Sequence, residues 1–225
     1  MTDAGLELDV REPARDELPR EPGEFDGVVC LGGAMSVHDV DEHPWLLRVQ
    51  RLLAEATSAR VPTLAICLGA QLLAVALGGR VKRADRPEVG PGLVSKRDAA
   101  WEDPLFGGLP LLPDVLQFHR DTITDLPARA VLLASGSEST NQAFRVDHVA
   151  YGIQFHIETT AETVAEWGRQ APELASWARS GKFDADVLDE LHRDLEDAWQ
   201  PVVAAFADLV TGSVAPARSR DLPLG

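Results

Sequence analysis

A cysteine, a histidine and a glutamate carry the strongest chemical signal in this sequence. Cys67 lies in TLAICLGAQLLA, where an apolar run gives way to small residues. His156 and Glu158 lie two residues apart in QFHIE, so in an extended chain both side chains leave the same face. A carboxylate beside an imidazole fixes the tautomer of the ring and supports its charged form, and a cysteine nucleophile needs such a base. The three side chains together are those that a thiol nucleophile, its base and an orienting carboxylate would supply.

The residues around Cys67 are those of a sharp turn from strand to helix. The run AICLG at positions 65–69 matches the pattern glycine-x-nucleophile-x-glycine at Gly69, with Ala65 as the next-smallest residue at the other end. At a helix N-terminus the free N–H groups favour a thiolate, and the N–H of Leu68 would point toward an oxyanion. Taken alone, the segment is equally well explained by Cys67 as a small buried hydrophobic residue.

The elements that must position these groups alternate between strands and helices. LELDV (6–10) alternates as a half-buried strand does, and the apolar runs at 26–33 and 61–66 are typical of strands buried on both faces. Helical spacing of apolar residues follows at 43–60 and again at 68–79. This order predicts a doubly wound α/β fold, with a mostly parallel sheet and helices on both faces.

The second half of the chain predicts shorter strands and then helices. Strand-like pieces between turns fill residues 80–145 and indicate an antiparallel or mixed extension of the sheet. A strand at 150–158 and a helix at 160–170 follow, the latter capped by one of two threonines. The segment 187–210 is amphipathic, although Pro201 should kink or divide it.

Two units are expected along the chain. Residues 1–180 hold every candidate functional residue, and residues 181–225 form a helical extension that ends in a frayed tail. Ligand sites in parallel sheets lie at the carboxyl ends of the strands. Cys67, His156, Gly32 and Gly33 all fall at such ends, which predicts that they meet.

Composition excludes several classes of partner. The net charge of −15, with no run of Lys or Arg to offset it, argues against nucleic acid. No apolar run approaches the roughly 20 residues of a membrane helix, and the first residues lack the apolar core of a signal peptide. Two cysteines do not make a disulfide framework. A cytoplasmic location is therefore expected.

The motifs ICLGAQLL and GIQFHIE together resemble the class I (triad) glutamine amidotransferases, in the branch similar to the amidotransferase domain of GMP synthetase. GGAMSV, HPWL and NQAF resemble other blocks of that branch, and the likeness extends from about Leu6 to about Trp167. Three motif positions depart from the family pattern: Ala65 replaces a glycine, Ala34 replaces the proline of Gly-Gly-Pro, and Ile157 replaces the proline of His-Pro-Glu.

The resemblance implies a role for each matching residue. Cys67 would be the nucleophile, His156 the general base and then acid, and Glu158 the residue that orients it. The backbone N–H groups of Gly33 and Leu68 would form the oxyanion hole, and no cofactor or metal is implied. The implied substrate-binding residues are Gly32, Gln71, Asn141, Gln142, Ala143 and Phe144. Gln71 is equally explained as a helix-surface amide and Phe144 as a core aromatic residue.

The resemblance also implies a strand that this sequence does not offer. Family members usually have an apolar strand and a helix ahead of the segment that resembles GLELDVREP, and the chain given begins almost at that segment. The absent strand lies inside the family's sheet. We therefore expect either an upstream start or a gap in the sheet that lowers stability.

Three functions remain open at the level of sequence. The first is hydrolysis of glutamine at Cys67, with ammonia passed to a separate synthetase subunit. The second is a stand-alone hydrolase or peptidase that cleaves another γ-glutamyl compound with the same triad. The third is a non-catalytic binding relative. The first two differ in what occupies the leaving-group side of the pocket.

Overall fold

The computed structural model describes Met1 and residues 5–217, which fold around one main β-sheet. Its strands are β1 (Val28–Cys30), β2 (Thr63–Ile66), β3 (Arg80–Leu93), β4 (Ser95–Lys96), β5 (Asp114–Asp125), β6 (Ala130–Ser135), β7 (Ala143–Val146) and β8 (Ala150–Ile153). The helices are α1 (Trp45–Ser58), α2 (Leu68–Ala76), α3 (Ala161–Gln170), α4 (Pro172–Ala175) and α5 (Ala185–Val210), with short 3-10 helices at Pro22–Glu24 and Asp98–Glu102.

The main sheet has six strands in the order β1-β2-β8-β7-β6-β4. β1, β2 and β8 are parallel, with Ala65 of β2 beside Cys30 on one side and Gly152 on the other. β7, β6 and β4 then alternate in direction, so four of the six strands point the same way. The predicted mostly parallel sheet with an antiparallel extension is confirmed.

Helices cover both faces of this sheet, as expected for a doubly wound fold. Alternate residues of β2 point to opposite faces, so Ala65 packs with α1 and α2, whereas Leu64 and Ile66 pack with the other core. That second core includes Trp199 and Phe206 of α5. Of the two expected effects of Pro201, division of the helix is wrong, because α5 runs unbroken with Pro201 exposed inside it. The buried residues on either side of Pro201 offset the lost backbone hydrogen bond.

The N-terminal side of the sheet differs from the prediction. Leu6–Val10 is not a strand: it pairs with no other segment among the described residues, and Val10 is 84% exposed. β1 is consequently an edge strand, with Val29 39% exposed, rather than a strand buried on both faces. The expected gap inside the sheet is not found among the described residues, because β1, β2, β8, β7, β6 and β4 pair in one uninterrupted series.

The long strands β3 and β5 also depart from the prediction. They form a separate antiparallel two-stranded sheet instead of extending the main one. A backbone bridge between Leu116 of β5 and His156 links the two sheets. This link brings the middle of β5 to the carboxyl end of β8. Among the described residues, no helix is both long and apolar enough to cross a membrane.

Candidate active site

Cys67 occupies a strained turn between β2 and α2. Its φ of 51° and ψ of −110° lie outside the regions that non-glycine residues ordinarily adopt. The turn is held because the N–H of Cys67 donates to the carbonyl of Ile153 at 2.7 Å, while the N–H of Gln71 donates to the carbonyl of Cys67 at 3.0 Å. Such strain is typical of a nucleophile presented at a strand-to-helix turn.

Gly69 explains why the residues after the cysteine must be small. A Cβ at this position would lie 2.2 Å from the carbonyl oxygen of Cys30, so only glycine lets α2 approach β1 this closely. Ala65, on the other side of the turn, is fully buried. The small-residue pattern therefore follows from the approach of α2 to the sheet.

His156 and Glu158 form the second part of the site. The N–H of His156 donates to the carbonyl of Leu116 at 2.8 Å, which fixes the backbone beyond the end of β8. The Nδ1–H of His156 donates to Oε1 of Glu158 at 2.7 Å, and the N–H of Ile157 donates to Oε2 at 2.9 Å. The two-residue spacing thus places the carboxylate against the ring, as the sequence predicted.

The electrostatics of His156 depend on both neighbours. Burial by itself lowers the pKa of His156, but its interactions with Cys67 and then with Glu158 outweigh this and raise the pKa to about 10. Burial raises the pKa of Glu158, but its hydrogen bond to His156 and the charge of that ring lower it overall. His156 therefore keeps a proton that it can give to a leaving group beside Cys67.

Cys30 has a different environment. It is only half-buried as a residue, but burial of its thiol raises the pKa to about 12. No described histidine hydrogen-bonds to this thiol, whose contact at 4.0 Å is with the carbonyl of Leu31. Cys30 therefore lacks the base that Cys67 has.

The predicted oxyanion residues lie at the same cavity as Cys67. Gly33 and Leu68 both line it, and neither backbone N–H donates a hydrogen bond within the described chain. Gly32 lies against the reacting groups: a Cβ there would be 3.2 Å from Cε1 of His156 and 3.4 Å from Cβ of Cys67. These free donors and this open approach are what a tetrahedral oxyanion beside Cys67 would need.

Gln71 is a buried residue of the cavity wall rather than a surface amide. Its Nε2 donates to the carbonyl of Asp121 at 3.0 Å and to Oε1 of Gln154 at 3.2 Å. Gln154, which the sequence reasoning did not single out, is fully buried, and its Nε2 lies 4.0 Å from the sulfur of Cys67. The two amides connect the nucleophile to β5.

The structure does not bring the segment 141–144 into this cavity, although its residues were expected to bind substrate. Asn141 donates to the carbonyls of Ile123 and Thr124, and Gln142 donates to the carboxylate of Glu88. Ala143 and Phe144 are buried in β7, where a Cβ on Gly152 would lie 2.3 Å from the Phe144 ring. Phe144 is therefore a core aromatic residue packed over a glycine.

Residues of β5 line the cavity in place of that segment. They are Phe118, His119, Arg120 and Asp121. Alternation along the strand turns His119 toward the main sheet, where Gln117 links its ring to Gln142, and turns Phe118 toward α3. Burial lowers the pKa of His119 to about 4, so this imidazole is neutral at physiological pH. His119 reaches the cavity because β5 pairs with β3, and pairing between such distant segments leaves no local pattern in the sequence.

The cavity has a volume of about 790 Å³ and lies between the nucleophile turn, β5 and α3. Its walls include Cys67, His156 and Glu158, together with Arg83 and Trp167. A thiol, an imidazole with its carboxylate, and free backbone donors thus share one solvent-accessible cleft. This arrangement can carry out acyl transfer.

Comparison with known proteins agrees with this geometry. A family model described as glutamine amidotransferase class-I matches residues 2–166. The chain belongs to that family. Residues outside the match include all of α5 and the segment that leads into it.

The relatives of this family member place it in the GMP synthase-like branch. It is 37% identical over 132 residues to the glutamine-hydrolyzing GMP synthase of Thermomicrobium roseum, covering 59% of this chain and 23% of that protein. It is 35% identical to a subunit of the glutamine-hydrolyzing GMP synthase of Sulfolobus acidocaldarius, covering 68% of this chain and 77% of that one. The chain thus spans about a quarter of the length of the first relative.

A solved structure supports the fold directly. The crystal structure of a glutamine amidotransferase from Thermotoga maritima superposes with a TM-score of 0.74 at 30% identity. The superposition covers 88% of this chain and 83% of that chain. The α/β architecture described above is thus that of a class I glutamine amidotransferase.

Proposed function

We propose that this amidotransferase hydrolyses glutamine through a thioester at Cys67 and that the triad is Cys67, His156 and Glu158. The sulfur attacks the γ-carbonyl carbon, and the oxyanion that forms is held by the N–H groups of Gly33 and Leu68. His156 gives its proton to the amide nitrogen as the C–N bond breaks, and ammonia leaves. Water then attacks the thioester, His156 takes a proton from it, and the C–S bond breaks to release glutamate.

One observation carries this proposal. The single residue of the site that is held in a strained backbone conformation is the cysteine. Its interactions with the neighbouring histidine, together with those of Glu158, raise the pKa of that histidine to about 10 although burial opposes the rise. A merely structural cysteine needs neither the strain nor the partner.

The amino-acid end of the substrate would bind opposite charges on the β5 side of the cavity. Asp121 lies 3.5 Å from Arg83, and both line the cavity. The side chain of Arg83 is 64% exposed, whereas that of Asp121 is 10% exposed. Asp121 can therefore pair with an α-ammonium group, and Arg83 can turn to an α-carboxylate. Gln71 would hold this end in register with Cys67.

The fate of the ammonia and the division of the chain belong to the same proposal. A relative that is named as one subunit of its enzyme supports transfer of ammonia to an acceptor enzyme on another chain. Residues 1–180 would carry the chemistry, and the extension that begins at residue 181 would support it through α5; residues 218–225 of the predicted tail lie outside the described residues. Trp199 of α5 donates to the carbonyl of Asp114 at 2.8 Å and so holds the start of β5.

Because the reaction needs a free thiol, we infer a cytoplasmic location.

Ammonia release from glutamine by the purified chain tests this function. Cys67→Ser should abolish release, whereas Cys30→Ala, which changes the other thiol, should keep it. Circular dichroism must show that both variants are folded. Release by folded Cys67→Ser at the parental rate would overturn the assignment, and so would a folded parent chain that releases no ammonia from glutamine.

A further inference from the structure

The cavity is larger than glutamine requires. A molecule in liquid water takes up roughly 30 Å³. Even if each of the ten non-hydrogen atoms of glutamine took up as much space as a water molecule, glutamine would fill only about 300 Å³. The cavity measures about 790 Å³. More than half of it would stay open beside a bound glutamine.

The position of His156 identifies the unfilled part as the leaving-group side. The proposed reaction requires this imidazole to protonate the departing nitrogen, so that nitrogen must lie next to the ring. The ring of Trp167 packs edge-on against His156 with centroids 4.8 Å apart, and both residues line the cavity. A group attached to the departing nitrogen would therefore extend along Trp167.

A cluster of aromatic and apolar side chains lines the cavity beyond His156, with the polar Thr163 and Gln170 of α3 beside it. Phe118 packs against Trp167 with centroids 5.5 Å apart, and Phe183 supports Phe118 from 6.1 Å. Leu174 of α4 continues the wall and is itself buried. Ammonia would gain nothing from such a surface, whereas an aromatic ring would remove apolar area from water on both sides of the contact.

Resting on the function proposed above, we propose that the same site also accepts γ-glutamyl amides whose nitrogen bears an aromatic or bulky apolar substituent, and that it prefers them to amides with a small substituent. The sulfur of Cys67 bonds to the γ-carbonyl carbon, the C–N bond breaks, and the nitrogen takes the proton of His156 and leaves as a primary amine. Water completes the cycle by giving its hydroxyl to the acyl carbon and a proton to His156, and the C–S bond breaks to release glutamate and free the sulfur of Cys67. The balance is one amide and one water to one glutamate and one amine.

Two amides of similar leaving-group basicity test this substrate class. γ-Glutamyl benzylamide and γ-glutamyl allylamide both release a primary amine whose CH2 group is attached to an sp2 carbon, so the two leaving groups are similar in basicity and a difference in kcat/KM reports the contact made by the ring. We expect the parent chain to favour the benzylamide by at least about tenfold, the effect of burying one aromatic side group. Trp167→Ala should bring this ratio close to one.

Controls separate binding of the ring from damage to the site. If Trp167→Ala also disturbs His156, kcat/KM falls by the same factor for both amides. That loss leaves the ratio of the two kcat/KM values unchanged. Phe118→Leu should lower the ratio too, and it provides a second variant should Trp167→Ala not fold. Trp177→Ala is the matched control, because Trp177 is 49% exposed and does not line the cavity; its ratio should equal that of the parent.

The outcomes are distinct for the two proposals. A parental ratio near or below one, with glutamine hydrolysed normally, overturns the substrate class and leaves the glutaminase function standing. A high ratio that persists in both folded wall variants also overturns it. Failure to hydrolyse glutamine and both amides overturns the proposed function and this inference with it.

Discussion

Replacing Glu158 with glutamine isolates the contribution of one negative charge to the proposed triad. The carboxylate accepts a 2.7 Å hydrogen bond from Nδ1 of His156 and a second bond from the N–H of Ile157. Glutamine keeps the size of the side chain and an oxygen for one of these bonds. The substitution therefore removes charge while leaving the packing of the loop nearly unchanged.

The size of the effect follows from that bond. A hydrogen bond to a charged group contributes about 1.5–3 kcal/mol, and each 1.36 kcal/mol changes a rate about tenfold. We expect kcat for glutamine hydrolysis to fall about 10- to 160-fold. One serine triad loses about 10⁴ when its carboxylate is neutralised. The loss should be smaller here, because Cys67 also contributes to keeping His156 protonated against the effect of burial.

The assay is ammonia release measured across a pH series. Without the charge of Glu158 the pKa of His156 falls, so the alkaline limb of the kcat/KM profile should move to lower pH. His156→Ala should abolish turnover, and Glu166→Gln should match the parent, because Glu166 pairs with Arg169 on the exposed side of α3. Parental kinetics in Glu158→Gln would remove Glu158 from the triad. A loss as complete as that of His156→Ala would show that Glu158 does more than orient the ring.

Two further predictions concern stability. Burial lowers the pKa of His119 from 6.5 to about 4, so between these two pH values the unfolded chain binds a proton that the folded chain does not. The free energy of unfolding should therefore fall by on the order of 3 kcal/mol as the pH drops through this window. The same pH dependence in His119→Gln would contradict this prediction. Gly69→Ala would force a Cβ to within 2.2 Å of the carbonyl oxygen of Cys30. The substitution should lower the free energy of unfolding, measured by urea denaturation, by about 1–3 kcal/mol. Gly108→Ala, where a Cβ meets nothing within 4 Å, should match the parent, and equal midpoints for the two variants would refute the packing argument.

The parts of the site that depend on local spacing could be predicted from sequence. His156 and Glu158 are two residues apart in an extended segment, so their contact needs no knowledge of the rest of the fold. The turn at Cys67 is predicted by Gly69 and the change from strand to helix. Parallel pairing of β2 with β8 then places these two segments side by side.

The parts that depend on long-range pairing could not be predicted. The segment Phe118–Asp121 reaches the cavity because β5 pairs with β3 and bridges to His156, which are contacts between distant residues. Leu6–Val10 has the alternation of a strand but no neighbouring strand to pair with. Pattern alone states that a segment can be a strand, whereas its partner decides whether it becomes one.

The most direct test of the proposed chemistry uses the two cysteines as each other's control. A diazoketone analogue of glutamine should alkylate Cys67 and spare Cys30, whose thiol has a pKa raised to about 12 by burial. Peptide mass mapping should locate the label, excess glutamine should slow its attachment, and the label should vanish in Cys67→Ser. Labelling of Cys30 in a folded sample, or labelling of Cys67 that glutamine does not slow, would contradict Cys67 as the nucleophile and favour a non-catalytic binding protein.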